Sequence, residues 1–560
     1  MNINYDGGEN INAPNIFPSN EPFATKTFTL TGKSTTNDNM NYNIILVIEE
    51  NTFTDNGLMY KLESLNNDNN GNVAPPINEL TGIPTESNEI FLGNGSFESP
   101  TSGNKLHTYS LELYFPDTIE NQNDNQGKTF KSYISVREGK YEYNQVKGVN
   151  HPILFTGMTP IKWDENNNEI NTTENDPSWY DYDNKKWANA KSQDGSYWVW
   201  IPRYAYKIET CYHTSNADCL VLTDKEAGEI DIKFLKGRGI IAEDNITIET
   251  IGYEPGVKDT SMHHFLHPAF DFYDGYLGFW VAKFEPTAHE ELASGTTEES
   301  CDSLDNVSTK SPKIVPNAVS WRCINNSNAF KASLAMKDNP IYGWNANEVD
   351  THMLTNEEWG AVAYLSKSQY GAPDEIWNNS FNGFKTGCSG PSVSANSQTT
   401  CTEYHTENGQ KASTTHNIYG VYDMRGGTWE NVMSGYNNFV SDTGFTEHEV
   451  INLTPKYYGR YYTSSDEWLN GSGMDYNPSV YGDAVYETSY NAGVYTGDSW
   501  TRNSRSSWFG NYAFIPFAIH SWFIRGGFHD HGEFAGLFQF SSGHGGVDYR
   551  STFRPVLVPN

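Results

Sequence analysis

The stretch from Trp522 to Leu557 interleaves two kinds of residue, and this limits the backbone that can carry it. Arg525, Gly526, Gly527, Ala535, Gly536, Phe538, Phe553, Arg554, Pro555 and Val556 suit a packed frame, with glycines where the chain must turn or approach closely. Phe528, His529, Asp530, His531, Glu533, Phe534, His544, Val547, Asp548, Tyr549 and Ser551 follow no packing pattern and read as a contact surface. Gly527 and Gly532 argue for irregular backbone among them. Arg525 and Arg554 are expected beneath a sheet, where a guanidinium can bridge carbonyls or carboxylates.

The interior of such a chain has to be built largely from rings. Hydrophobic residues make up only 37%, but aromatics reach 14%, with 15 Trp and 35 Tyr, and rings bury area while keeping polar edges. The surface leans on Asn, Ser, Thr, Gly and Tyr, a mixture that suits extracellular β proteins and adaptable binding surfaces. The formal charge of −33 repels nucleic-acid phosphates and anionic lipid, so neither is expected as a partner. Beyond that it reads as a solubility charge.

No apolar run approaches the roughly 20 residues of a membrane span, the longest being Ile44–Ile48. Met1–Tyr5 lacks a charged-then-apolar signal pattern, so either the protein is not secreted by that route or a leader has been removed. Six cysteines fall as three close pairs: Cys211 with Cys219, Cys301 with Cys323, and Cys388 with Cys401. None has zinc-knuckle or redox spacing. Local disulfides in an oxidising compartment are expected, with six reduced thiols as the alternative.

The length suggests two to four domains. Residues 1–22 are Asn-, Pro- and Gly-rich and read as a leader or linker. Short strand-like runs follow at Thr25–Thr31, Tyr42–Ile48, Leu58–Ser64, Leu106–Phe115 and Phe130–Val136, separated by turn residues. This predicts an antiparallel β-sandwich over residues 23–140, serving as a stalk or assembly domain. The order of strands resembles the secreted β-sandwich subunits of bacterial surface fibres of the camelysin type. A hinge is expected at Lys140–His151. The dense rings of Trp179–Tyr182, Trp187 and Tyr197–Trp200 read as core, with a sugar-stacking platform as the alternative. Gly278–Thr287 looks like a strand with alternate residues buried. Thr355 is a plausible helix N-cap with Glu358 as its capping-box partner, and Trp359, Val362 and Ala363 follow at helical spacing. Residues 434–510 read as long ordered loops.

Four blocks carry a family likeness over residues 150–560. They are Phe279-Trp-Val-Ala-Lys-Phe-Glu-Pro-Thr, Met353-Leu-Thr-Asn-Glu-Glu-Trp, Tyr419-Gly-Val-Tyr-Asp-Met-Arg-Gly-Gly-Thr-Trp-Glu, and the closing Arg525-Gly-Gly with Phe553-Arg-Pro-Val. Together they resemble the formylglycine-generating-enzyme-like fold. The resemblance implies an α+β, loop-rich, C-type-lectin-like domain after the all-β sandwich. Enzymes of that superfamily hold copper with two thiolates late in the domain. Here the last cysteine is Cys401, ahead of the third block, and a soft copper site needs thiolates. Neither the activity nor the cofactor carries over, so no catalytic residue and no cofactor is expected.

The closing stretch also resembles the variable region of diversity-generating-retroelement target proteins, which display hypervariable residues on one ligand-binding face. This implies an exported, adhesin-type protein on a cell surface or virion, with a protein or glycan ligand and no membrane insertion of its own. The contact residues would be Phe528–His531, Glu533, Phe534, His544, Val547–Tyr549 and Ser551. Besides a purely structural fibre subunit with an inert decoration, two rival readings remain. One is a phage tail receptor-binding protein. The other is a metal-dependent enzyme using His529, His531 and Glu533, which would share one face if this segment were a strand.

Overall fold

Short apolar runs between turn-rich breaks become paired strands throughout. In a computed structural model the chain divides into two compact units, Met1–Tyr143 and Asn144–Asn560. The structure describes residues 2–7, 16–33, 39–54, 57–65, 70–74, 76–83, 89–98, 103–118, 122–138, 149–174, 176–214, 219, 227–235, 248–249, 259–271, 276–296, 300–390, 398–461, 480–495, 500–501 and 505–560. Most of the hinge expected at Lys140–His151, and residues 462–479 of the expected loop stretch, lie outside them. Among the described residues strand accounts for 37% and helix for 11%, and the sheets are mostly antiparallel, so the fold is β-rich.

In the first unit, β1 (Asn2–Asp6), β2 (Ala24–Lys33), β4 (Met59–Ser64), β5 (Ile77–Gly82) and β7 (Lys105–Tyr114) form one sheet, in the order β1-β2-β7-β4-β5. A second sheet has β3 (Met40–Asn51) between β6 (Glu89–Phe97) and β8 (Phe130–Glu138). Phe28, Leu30, Ile44, Leu46, Tyr60, Leu62, Tyr109 and Leu111 share one core. Within residues 1–22, Asn2–Asp6 pairs antiparallel with Thr29–Lys33, and Tyr5 packs edge-on against Phe28 at 6.0 Å.

The second unit is framed by a seven-stranded sheet. Its first strands are β9 (Thr159–Trp163), β10 (Glu169–Asn171), β11 (Asn189–Lys191) and β12 (Tyr197–Pro202). They are followed by β13 (Gly278–Ala282), β14 (Val349–Met353) and β19 (Pro555–Pro559), in the order β10-β9-β11-β12-β13-β19-β14. The strand expected to bury alternate residues buries all five of Gly278–Ala282. It lies inside the sheet and is covered on both faces, which demands a continuous apolar run. Trp179, Tyr180, Tyr182, Trp187, Trp198 and Trp200 are fully or almost fully buried, which makes them core, while Tyr197 of the same set is half-buried.

Two helices pack on this frame, α1 (Asn326–Ala335) and α2 (Asn356–Ser366). At α2 the capping box forms: Glu358 N donates to Thr355 Oγ1 at 3.3 Å, and Thr355 N donates to Glu358 Oε2 at 2.9 Å. The helix buries every residue except Glu357, so its apolar stripe is one side of an all-round burial. Gly360 permits this, because a Cβ there would meet the Gly482 carbonyl oxygen at 1.9 Å. Three disulfides, Cys211–Cys219, Cys301–Cys323 and Cys388–Cys401, close local loops.

Candidate functional site

A second sheet of the C-terminal unit carries the closing stretch. β15 (Trp429–Tyr436) pairs antiparallel with β16 (Trp522–Gly526), and β16 pairs with β17 (Gly536–Gly543). The short β18 (Ser551–Thr552) runs parallel to the start of β15. Residues 527–535 therefore close one end of the β16–β17 hairpin. Residues 544–550 leave its other end and return beside β15.

The frame residues lock this arrangement from below. Arg525 is fully buried and donates to Asn356 Oδ1, Asp483 O and Ala484 O, each at 3.2 Å. Arg554 is fully buried and donates to both Glu430 oxygens, to Ala282 O at 2.6 Å and to Tyr422 O at 3.0 Å. It ties β19 to β13 and β15. Glu285 and Asp423 lie in the same acidic layer. Burial pushes the Glu285 carboxyl well above the usual range, and the Asp423 and Glu430 charges add to this. Burial raises Glu430 as well, against the pull of Arg554. Gly527 has φ +89°, and a Cβ there would fall 2.5 Å from Ala535 Cβ, so the hairpin end closes only around glycine.

Both loops are held by their main chains. In the first, His529 N donates to Gly427 O at 3.1 Å and Phe534 O accepts from Tyr512 N at 3.0 Å. His529 O accepts from Asn378 Nδ2 at 3.3 Å, and Gly532 O from the buried Arg425 at 3.2 Å. In the second, the carbonyls of His544, Gly545, Asp548 and Arg550 accept from Asp442 N, Asn326 N, Cys323 N and Trp429 N at 2.9, 2.9, 3.1 and 2.7 Å. The Tyr549 carbonyl accepts from Arg322 Nη1 at 2.8 Å.

The side chains of the two loops divide into three places instead of one. Phe528 and Tyr549 meet edge to face at 6.3 Å, and His531 lies 5.2 Å from Trp429. Phe384 sits 5.9 Å from Phe528 and 5.3 Å from His529. Arg550 lies over Trp429 at 5.0 Å and pairs with Asp548 at 2.9 Å. Glu533 and Phe534 turn elsewhere: Glu533 pairs with Arg505, whose guanidinium lies 4.8 Å from the Phe534 ring. His544 stands at the far end beside Asp442 and His520.

Exposure corrects the contact set. Phe528 is 6% exposed, His529 8% and Ser551 5%, so these three floor the patch and cannot lead its contacts. The backbone turns at 528–531 and pairs at Ser551, which points these side chains inward. Asp530 is exposed, Phe534 36% and Val547 41% exposed, and His531, Glu533, His544, Asp548 and Tyr549 half-buried. Burial pushes His529 down to about 4, with His531 and Arg322 acting the same way and Asp530 opposing. His531 is lowered by burial and by Arg550, again against Asp530. The His529 ring is neutral at pH 7. Asp548 is held below the usual carboxylate range because its Arg550 partner outweighs burial.

The metal set does not assemble. Gly532–Phe534 is a turn of 3-10 helix, so the spacing of two that would align His529, His531 and Glu533 on a strand does not apply. His529 packs on Phe528, His531 faces Trp429, and Glu533 bonds Arg505. Among the described residues no three His, Cys, Asp or Glu side chains form a metal-holding group.

Four residues of the site escaped sequence reasoning: Arg322, Phe384, Trp429 and Arg550. Trp429 stands inside the Gly-Gly-Thr-Trp-Glu block and Arg550 two residues after Asp548, so both were within view. Arg322 and Phe384 carry no local signal, since only the fold brings them to the loops. The chain matches no protein-family model, no curated protein and no solved structure.

Proposed function

We propose that this is an exported, non-catalytic binding protein whose C-terminal unit presents the two closing loops to a protein or glycan on a cell or virion surface. The unit is read as a C-type-lectin-like frame, and the loops as the diversified region of a retroelement target protein. The observation that carries this is the main-chain anchoring. Backbone carbonyls and amides fix both loops, so the side chains of Asp530, His531, Phe534, Val547 and Tyr549 can change without loosening them. Pre-formed loops also lose little entropy on binding. Partly exposed Trp429, His531 and Tyr549 offer ring area with polar edges, the mixture adaptable binding faces use. Three disulfides fit an oxidising compartment, and among the described residues no helix is long and apolar enough to cross a membrane.

The test replaces Asp530, His531, Phe534, Val547 and Tyr549 with Ala together. The parent and the variant are applied to a printed glycan array and to bacterial cells with and without surface proteolysis. The parent should bind one of these and the variant none, with melting temperatures that agree. Equal binding by both chains would end the reading. A reverse-transcriptase gene with a near-copy template repeat beside the coding sequence is the matching genomic expectation.

A further inference from the structure

Between its anchors at Asp442 and Trp429, the second loop is laid along one short segment, Trp321–Asn326. Thr552 Oγ1 donates to Trp321 O at 2.9 Å, Arg322 Nη1 to Tyr549 O at 2.8 Å, Cys323 N to Asp548 O at 3.1 Å and Asn326 N to Gly545 O at 2.9 Å. The two segments run side by side in opposite directions. At the middle of the contact stands Arg322, 1% exposed. Its guanidinium carbon lies 3.8 Å from the centroid of Phe384, the ring that supports Phe528 and His529. Its other terminal nitrogen donates to Gly295 O, in the segment that leads into the disulfide-bonded Cys301. One planar group thus touches all three segments around the patch.

We infer that Arg322 is the positioning residue that makes the two closing loops one face, and that the segment at Gly295 is the third wall of that face. The inference rests on the binding role proposed above. The physical reason is the fork of the guanidinium. It reaches two carbonyls from different loops while its flat side covers a ring, which a lysine ammonium cannot do. The Arg322 bonds to Tyr549 O and Gly295 O go to main-chain atoms, so these two anchors do not depend on the side chains carried there.

Arg322→Met and Arg322→Lys in the full chain test this by amide hydrogen exchange. The amides of Cys323, Asn326 and Trp429 are protected by loop carbonyls, so they report whether the loop is seated. Both variants should speed their exchange by about tenfold, the loss of one hydrogen-bonded anchor. Amides of Val349–Met353 and of Val556–Val558 should keep parent rates. Binding to the intact bacterial cells used above should fall by a similar factor. Unchanged exchange at the three reporters, rescue by lysine, or equal loosening of the whole unit would overturn the positioning role. Faster loop exchange with unchanged cell binding would leave the anchor standing and overturn the contact reading instead.

Discussion

Replacing Arg554 by Met should strand charge inside the domain, and the size of the defect can be worked from its contacts. The guanidinium satisfies both oxygens of Glu430 and the carbonyls of Ala282 and Tyr422, all in fully buried surroundings. Breaking a buried pair from one side costs about 3–5 kcal/mol. Each stranded carbonyl adds roughly 1 kcal/mol after relaxation. The single variant should therefore lose about 5–7 kcal/mol, and Glu430→Met with Arg554→Met only about 2 kcal/mol, since no carboxylate is then left unpaired at that place. Asp423 has separate donors in Asn379 Nδ2 at 2.8 Å and Gly387 N at 2.9 Å, so it does not depend on Arg554 alone. The pH dependence has a definite sign. Burial already raises Glu430, and losing Arg554 raises it further. A carboxyl raised in the folded state stabilises below its unfolded value, about 4.3, and loses that contribution as pH rises through the folded value. The deficit of the single variant should thus shrink on going from pH 8 to pH 5, while that of the double variant stays level. Urea unfolding followed by tryptophan fluorescence reads this cleanly, because all 15 tryptophans lie at or beyond Trp163. A double variant as unstable as the single one, or a single-variant deficit independent of pH, would refute the reasoning.

Gly527→Ala should cost about 3 kcal/mol, combining a left-handed backbone with overlap on Ala535, and a melting temperature close to the parent would contradict the hairpin geometry. The neutral His529 ring contributes stability that is complete above pH 6.5 and is lost as pH falls towards about 4, by roughly 3 kcal/mol at the limit. Urea curves of the parent and of His529→Phe, compared at pH 7 and pH 4.5, should diverge by that trend, and parallel curves would show that the ring is not desolvated.

What was legible in the sequence follows the physics of each element. Alternation exposed β2, β3, β4, β7 and β8, because each has one face in the sandwich core. β6 stayed hidden: Gly93 and Gly95 interrupt its pattern, and Gly95 lets the backbone pass under Tyr42, where a Cβ would fall 2.3 Å from the hydroxyl oxygen. β1 sat in a turn-rich segment whose pairing is decided by β2. The capping box at Thr355 was readable because both partners are three residues apart. In the closing stretch the glycines and arginines could be picked out by type. The split between floor and surface could not, because a turn buries Phe528 and His529 and exposes Asp530 with no period to read. The three-way division of the loop side chains depends on Arg505, Trp429 and Asp442, which the chain brings from far away.

The order of β19 and the loops along the chain has a consequence for synthesis. β19 is emitted after both loops, yet it lies inside the seven-stranded sheet between β13 and β14. A ribosome releasing residues in sequence makes every variable-looking position before it makes the strand that completes the frame. A stop codon or frameshift within the loops removes β19 and leaves β13 and β14 with open edges, a species that proteases clear. Only chains read in frame through both loops can close the sheet, so folding itself checks the two loops for an intact reading frame.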